Sequence, residues 1–261
     1  MISKARRTRI LDALAVDGSA SVRELAERLE VSESTIRRDL QRLDENGELV
    51  RTYGGAVVQP RATSGQPGDP ERLEDPWTVG DDVEASLKAA MGKAAADLVT
   101  DGQVVLLDIG TTTSFVARAL RGRPVTVITG NVAAFDELRD DEAVRLVLLG
   151  GVFRRNYRSL VGSLAQSALD QVSADIAFLS CTGVRENGSV VDDMAVEAPI
   201  KQRMLAVADR SVLMASDRKF PGTGSLRLCS LADVDTLVTT EGANPNTTRL
   251  CTEAGGTVIV A

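Results

Sequence analysis

Two stretches of the chain carry side chains whose types and spacing suit recognition of an anion. The first, VSESTIRRDLQRL at residues 31–43, places Ser32, Ser34, Thr35, Arg37 and Arg38 close together, within about two helical turns. Hydroxyl residues are poorer helix formers than Ala, Leu, Glu or Lys, so a helix meant only to cover a core would not gather them. Serine and threonine hydroxyls bond phosphates or base edges, and the planar arginine fork matches guanine O6/N7 or a phosphate. The second stretch, LDIGTTTS at residues 107–114, sets Gly110, Thr111 and Thr112 directly after an apolar run. Glycine allows close backbone approach, threonines add hydroxyls, and the free amides at a helix start favour an anion. It reads as a phosphate cradle, with a hydroxyl-capped strand-to-helix turn as the alternative.

Two further loops have the same character. Gly130-Asn131 follows PVTVIT, and Gly151 follows AVRLVLLG ahead of Arg154, Arg155 and Arg158. Open α/β sheets bind ligands at the carboxyl ends of their strands. Three such loops at one sheet edge point to a sugar-phosphate site.

Whole-chain composition limits what else the protein does. The 261 residues include no histidine, so a Ser-His-Asp or Cys-His nucleophilic system and a histidine-bearing metal site are excluded. Acid/base work by Asp, Glu or Lys stays open. Cys181, Cys229 and Cys251 form no Cys-x-x-Cys pair, which argues against a zinc ribbon or disulfide framework; they read as small buried hydrophobes. No cofactor is indicated. The sequence shows neither a membrane-length apolar run nor a secretory h-region, and a cytoplasmic protein is expected. Residues 1–61 hold 11 Lys+Arg against 10 Asp+Glu, whereas the remainder holds 19 against 27. Only the N-terminal part suits a polyanion, and there the positions of the arginines matter more than their number.

The elements that must position these groups follow from periodicity. A helical pattern starting at Ser3 or Lys4 puts Ile10, Leu11 and Leu14 on one face and stops at Gly18. Ser21 caps a second helix, VRELAERL, with Val22, Leu25 and Leu29 inward. Glu30 and Val31 then lead to Ser32, an N-cap for a helix burying Ile36, Leu40 and Leu43. That is a helix-turn-helix. Its last helix leaves Ser34, Thr35, Arg37, Arg38 and Gln41 facing away from the bundle, where the N-terminal half would enter a major groove. GELVRTYGGA adds a turn at Asn46-Gly47, a short strand and a Gly-Gly turn, a wing that would carry Arg51 and Tyr53. Residues 60–76 hold four of the eight prolines and no sustained apolar period, so the expected domains are 1–58, a linker at 59–83 and 84–261. Trp77 is expected to anchor the linker's end on the second domain. From residue 84, SLKAAMGKAAADLV reads as helix, and QVVLLD, PVTVIT, AVRLVLLG, DIAFLS, SVLMAS, VDTLVT and TVIVA read as strands. The fold class is α/β: an N-terminal winged helix-turn-helix plus a C-terminal α/β domain with a largely parallel sheet.

RRTRILDALAVDGSASVRELAERLEVSESTIRRDLQRLDENGELVRTYGGA resembles the DNA-binding domain of the DeoR family of bacterial sugar-catabolism repressors, above all in VSxxTIRRDLxxL and the terminal GGA. Tyr53 stands where histidine is common in the family. LDIGTTTS, LLGG, SLVGSLA, GVRENGSV, VEAPIKQRML and KFPGTG resemble the effector domain of the same family, whose fold is similar to ribose-5-phosphate isomerase. The resemblance implies that Asp108, Gly110, Thr111, Thr112, Gly151, Glu197, Lys201 and Lys219 line or support the effector pocket. Two local departures are Thr129-Gly130-Asn131 for the family's Thr-Asn-Ser and Ser216-Asp217-Arg218-Lys219 for its Asp-x-Ser-Lys.

The resulting expectation is a repressor of a sugar-metabolism operon. It would hold double-stranded operator DNA as a homodimer or homotetramer and be released or modulated by a phosphorylated sugar, with no membrane partner. The alternative is a sugar-phosphate isomerase or deaminase with an accessory DNA-binding domain.

Overall fold

The computed structural model describes residues 6–7, 9–10, 19–29, 31–45, 49–52, 55–58 and 82–261, which fall into two compact units divided between residues 74 and 75. In the first unit, helix α1 (Val22–Leu29) opens with a capping box. The Glu24 amide donates to Ser21 Oγ at 3.1 Å while the Ser21 amide donates to the Glu24 carboxylate at 2.8 Å, so each orphan amide is satisfied by the other residue's side chain. Helix α2 (Glu33–Glu45) starts two residues after Val31, whose amide donates to Ala26 O at 3.1 Å and fixes the turn. Val22, Leu25, Ala26 and Leu29 of α1 pack with Ile36, Leu40 and Leu43 of α2, and Ile10 closes the cluster. Strands β1 (Ser19–Ser21), β2 (Leu49–Thr52) and β3 (Gly55–Val58) form an antiparallel sheet in the order β1-β3-β2. The β2–β3 pair is the expected wing; β1 was not foreseen, because three residues carry no period. The helix stop at Gly18, the Asn46-Gly47 turn, Tyr53 and the proline-rich stretch with Trp77 lie outside the described residues.

The second unit begins with helix α3 (Asp82–Ala96). Seven strands follow in one parallel sheet: β4 (Val104–Leu107), β5 (Thr126–Thr129), β6 (Arg145–Leu148), β9 (Ile176–Ser180), β12 (Ser211–Met214), β14 (Thr236–Thr239) and β15 (Thr257–Val260). These are the seven apolar runs read from the sequence. Their spatial order is β15-β14-β12-β9-β4-β5-β6: the chain builds outward from β4 through β6, then returns to β9 on the other side of β4. The β4–β9 junction is therefore the topological switch point, where the loops leave in opposite directions and open a crevice.

Both faces of this sheet are covered. Val105, Leu107, Ile176 and Phe178 point into a core closed by Met91, Ala95, Val116 and Leu120 of α3, α4 (Thr111–Ala119) and its end, with Ala134 and Leu138 of α5 (Val132–Leu138). Their alternates Leu106, Ala177 and Leu179 point into a second core with Ala165 and Leu169 of α6 (Ser163–Leu169), Ile200 and Met204 of α7 (Ala198–Val207) and Cys251 of α8 (Pro245–Glu253). Two small antiparallel additions overhang the carboxyl edge. One is the hairpin of β7 (Val152–Arg154) and β8 (Ser159–Val161); the other is the sheet of β10 (Gly183–Val184), β11 (Ser189–Asp192) and β13 (Leu226–Ser230).

Helices α3 and α4 meet backbone to backbone at Gly92, where an added Cβ would stand 2.7 Å from the carbonyl carbon and Cβ of Phe115. On a solvent-facing helix Gly→Ala stabilises by up to about 1 kcal/mol. Here the sign should reverse, since parting two packed helices costs roughly 1–3 kcal/mol. Gly92→Ala is expected to lower the thermal midpoint of the second unit by several degrees, and a raised midpoint in calorimetry would show that this contact does not set the helix spacing.

Candidate functional site

The face of α2 opposite the core is open. Ser32, Glu33, Ser34, Arg37, Arg38 and Gln41 are exposed and Thr35 is half-buried, while Ile36, Leu40 and Leu43 are sealed inward. The three hydroxyls form a local network: Ser32 Oγ lies 2.9 Å from Ser34 Oγ and 2.8 Å from Thr35 Oγ1, and it accepts the Thr35 amide at 3.3 Å. Ser32 thus caps the helix and holds the other two hydroxyls at its N-terminus. Arg37 bonds Glu33 one turn earlier at 3.1 Å, with both side chains about half or more exposed. Asp39 does not join this face. It is buried and takes the Arg6 Nε at 2.5 Å, and that hydrogen bond raises the Arg6 pKa. Arg51 lies on strand β2 of the wing.

At the switch point, Asp108 follows β4 and is fully buried. Its Oδ2 accepts the Ser180 amide at 2.7 Å and the Ser180 hydroxyl at 2.8 Å, and its Oδ1 accepts the Gly110 amide at 2.9 Å. The carboxylate thereby ties the end of β9 to the turn that starts α4. Gly110 must be glycine, for an added Cβ would stand 2.0 Å from Ser180 Oγ. It is the N-cap of α4 and offers no side chain, so the first amides of the helix, at Thr111 and Thr112, have no intrahelical or side-chain acceptor. Behind the turn, Asn131 is wholly buried. Its Oδ1 accepts the Ala133 and Ala134 amides at 2.9 and 3.2 Å, and its Nδ2 donates to Gly110 O at 2.9 Å.

Next to Asp108 is a buried cluster of ionisable side chains. Lys201 of α7 places its Nζ 2.7 Å from Asp192, 3.6 Å from Asp108 and 3.7 Å from Glu197. Arg154 of β7 donates to Glu197 at 2.5 Å and stands over the Tyr157 ring at 4.4 Å. All five charged groups are at most 4% exposed. Burial penalises the Asp192 charge, but Lys201 and the Asp193 and Met194 amides outweigh it and hold the carboxyl below its ordinary range. For Glu197 burial wins over Lys201 and Arg154, and its pKa is raised. Burial also opposes the Lys201 charge; the three carboxylates around it prevail and raise its pKa. Burial pushes the neighbouring Cys181 thiol up to about 12, which leaves it an inert core residue.

The structure therefore brings Asp108, Gly110, Thr111, Thr112, Arg154, Glu197 and Lys201 together at the carboxyl edge of the sheet, with Gly130 and Asn131 at the end of the neighbouring strand β5. Gly151 serves the hairpin instead: at φ 151° it lets the chain pass where a Cβ would meet Val161 O at 2.6 Å. Arg155 is exposed and Arg158 pairs with Asp136, so of the three hairpin arginines only Arg154 reaches the cluster. Lys219 ends a short 3-10 turn after β12 (Asp217–Lys219) and is near enough for its charge to be felt at Cys181. The displaced Asp217 accepts from Thr240 Oγ1 at 2.8 Å. Sequence reasoning missed Asp192 and Ser180. Asp192 did leave a signal: SVVD ends an apolar run in aspartate just as VVLLD does.

Comparison with known proteins places both units in one family. The family model of the DeoR-like helix-turn-helix domain matches residues 6–61, and that of the DeoR C terminal sensor domain matches residues 83–241. The chain belongs to the DeoR family. The L-fucose operon activator of Haemophilus influenzae is 28% identical over 93% of this chain and 94% of its own. The lactose phosphotransferase system repressor of Lactococcus lactis is 31% identical over 94% of each. Among solved structures, ribose 5-phosphate isomerase A of Methanocaldococcus jannaschii covers 52% of this chain and 54% of its own, at 22% identity and a TM-score of 0.39. As a DeoR-family member the chain is a DNA-binding transcription regulator and not an enzyme, which decides between the two readings drawn from the sequence. Among the described residues no helix is long and apolar enough to cross a membrane.

The buried cluster of the DeoR sensor domain makes a pH-dependent prediction. Lys201→Met removes the cation shared by three buried carboxylates, a change expected to cost about 3–5 kcal/mol at neutral pH. Without the lysine the carboxyl pKa values rise, so the penalty is fully present above those raised values and is relieved as protons bind on acidification. The stability gap between parent and variant should narrow between pH 8 and pH 5 in denaturant titrations. A gap that is constant or wider at pH 5 would mean that Lys201 does not neutralise this cluster.

Proposed function

We propose that the protein is a cytoplasmic repressor of a sugar-metabolism operon, holding operator DNA through the exposed face of α2 and the wing and releasing it when a phosphorylated sugar occupies the crevice beside Asp108. Residues 1–58 serve as the DNA-binding domain, 59–83 as the linker and 84–261 as the sensor. The observation that carries this reading is the α4 N-terminus at the switch point, uncapped by any side chain and adjoining a carboxylate-rich cluster. Family membership supports it, as do relatives named for fucose and lactose systems.

The chemistry divides between the two halves of the crevice. A phosphate belongs at the α4 amides, where the helix dipole and free donors favour negative charge, with the Thr111 and Thr112 hydroxyls and Lys219 sharing it. It does not belong in the cluster, which holds three carboxylates against two cations. Carboxylates accept hydrogen bonds, so Asp108 and Glu197 suit the hydroxyls of the sugar. On the DNA side, one recognition helix reads one half-site. Two copies related by a two-fold axis place their helices about 34 Å apart, so a homodimer or homotetramer is the binding form. The ligand releases DNA only by favouring one arrangement of the winged helices over another.

Arg37 and Arg38 supply the first test. Replacing either with Ala should cost about 1–3 kcal/mol where it reads a base, with relaxed specificity; a phosphate contact would weaken all sequences alike and flatten the salt slope. Operator titrations at several salt concentrations distinguish the two, and unchanged affinity in both variants would remove α2 from the interface. The second test is Thr111→Glu. A carboxylate in the first turn suits the helix dipole, so folding should be unimpaired, but it occupies the position of the phosphate. The variant should repress normally and fail to respond to inducer. A variant that binds sugar phosphate as tightly as the parent in calorimetry would exclude this turn from the site.

A further inference from the structure

We infer that Ser159, on the overhanging hairpin, is a ligand-contacting residue of the sensor crevice and that its hydroxyl bonds a hydroxyl of the sugar rather than the phosphate; the inference rests on the sugar-phosphate reading above. Ser159 is 0% exposed, and its Oγ has no hydrogen-bond partner. A buried hydroxyl left unsatisfied costs free energy, and native structures keep few of them without a reason.

Register shows where this hydroxyl points. Ser159 stands directly opposite Arg154 in the β7–β8 ladder and forms an antiparallel bridge with Asn131 on its other side. Directly opposed residues of antiparallel strands project to the same face, so the three side chains form one row. At one end Arg154 donates to Glu197 of the charged cluster. At the other, the Asn131 amide donates to Gly110 O and so braces the turn at the α4 N-terminus. Ser159 lies between them in the row, with the carboxylates suited to sugar hydroxyls beyond one neighbour and the amides suited to phosphate beyond the other. Arg154 and Asn131 both spend side-chain donors on partners within the protein, and Ser159 Oγ is the hydroxyl of the row with donor and acceptor capacity unused.

The sequence alone did not single out this residue. It sits in RSLVG, a short stretch without helical or strand period, and acquires its place only when the hairpin folds over the crevice.

The test compares Ser159→Ala with the parent protein by calorimetry and thermal shift, using a panel of aldose and ketose phosphates and inorganic phosphate alone. For the sugar phosphate that the parent binds, the dissociation constant should rise about tenfold, the loss of one buried hydrogen bond. Inorganic phosphate should bind parent and variant alike, and the ligand-free midpoint should stay the same or rise, because the variant removes an unsatisfied group. Ser159→Thr, which keeps the hydroxyl, should retain more affinity than Ser159→Ala. Unchanged sugar-phosphate affinity in Ser159→Ala would overturn the inference while leaving the sugar-phosphate reading intact. An equal loss for inorganic phosphate would overturn it by assigning Ser159 to the phosphate. A parent protein that binds no member of the panel would overturn both.

Discussion

The carboxylate of Asp108 is the constraint on which the sensor unit depends. It crosses the one place where the chain reverses its direction of winding, taking two donors from the end of β9 and one from the turn after β4. Without it the two halves of the sheet would share strand pairing but not a common edge. Lys201, 3.6 Å away, makes a buried charge at this position tolerable, since an isolated carboxylate in such a place would give up its charge instead. The lysine in turn is held by Asp192 and Glu197, and Glu197 by Arg154. Five ionisable groups from the end of β4, from β7 and β11, and from α7 and its N-cap thus stand or fall together, and the small sheets that overhang the crevice are fastened to the large one through them.

Such a cluster is poorly explained as a device for stability alone. Buried ion pairs roughly break even against well-packed apolar side chains, and three carboxylates among two cations is a less favourable set than a matched pair. Its value lies in polar groups held fixed next to a helix N-terminus. The raised pKa of Glu197 marks the place where burial outweighs its cationic neighbours, and a polar ligand that brings hydroxyl donors to that side would lessen the imbalance. The hairpin carrying Arg154 also carries Ser159 and meets Asn131, so one element touches the cluster and the back of the α4 turn together. The ligand proposed above, spanning the two halves, would have a mechanical route to the overhanging hairpin.

The large sheet was legible in the sequence and the small ones were not, for a physical reason. Strands buried on both faces read as continuous apolar runs, as the central ones did, and the edge strands β6 and β15, though half-exposed, kept the same apolar composition. The strands of two to five residues around the crevice have no room for a period, and their pairing is decided by tertiary contacts. The same holds for the charged groups. Glu197 and Lys201, four residues apart, look like an exposed helical ion pair; nothing in their spacing says that both are buried. Family resemblance supplied them, whereas the glycine and threonines after β4 could be read from strand-end chemistry. Arg154 was one of three candidate arginines, and only the hairpin's register separates it from Arg155 and Arg158.

On α2 the hydroxyls and arginines are readable one by one, but the structure adds how they are held. Ser32, Ser34 and Thr35 already bond one another, so a DNA phosphate would exchange partners with them rather than satisfy orphan groups, and these contacts favour register more than affinity. Arg37 is tethered to Glu33, but an exposed pair of this kind is worth only about 0–1 kcal/mol, too little to hold the guanidinium from a stronger acceptor such as a phosphate or guanine. The chain as a whole carries a formal charge of −7, so DNA is not drawn to it by net charge. The described outward cations of α2 include Arg37 and Arg38, while the buried Asp39 is neutralised inward by Arg6. On the dimeric reading proposed above, so small a basic surface would bind weakly as one copy and gain when a second copy presents the same surface to the next half-site. In the dimer proposed above, the contact between sensor units would set that spacing, and a ligand in the proposed crevice would act on DNA through it.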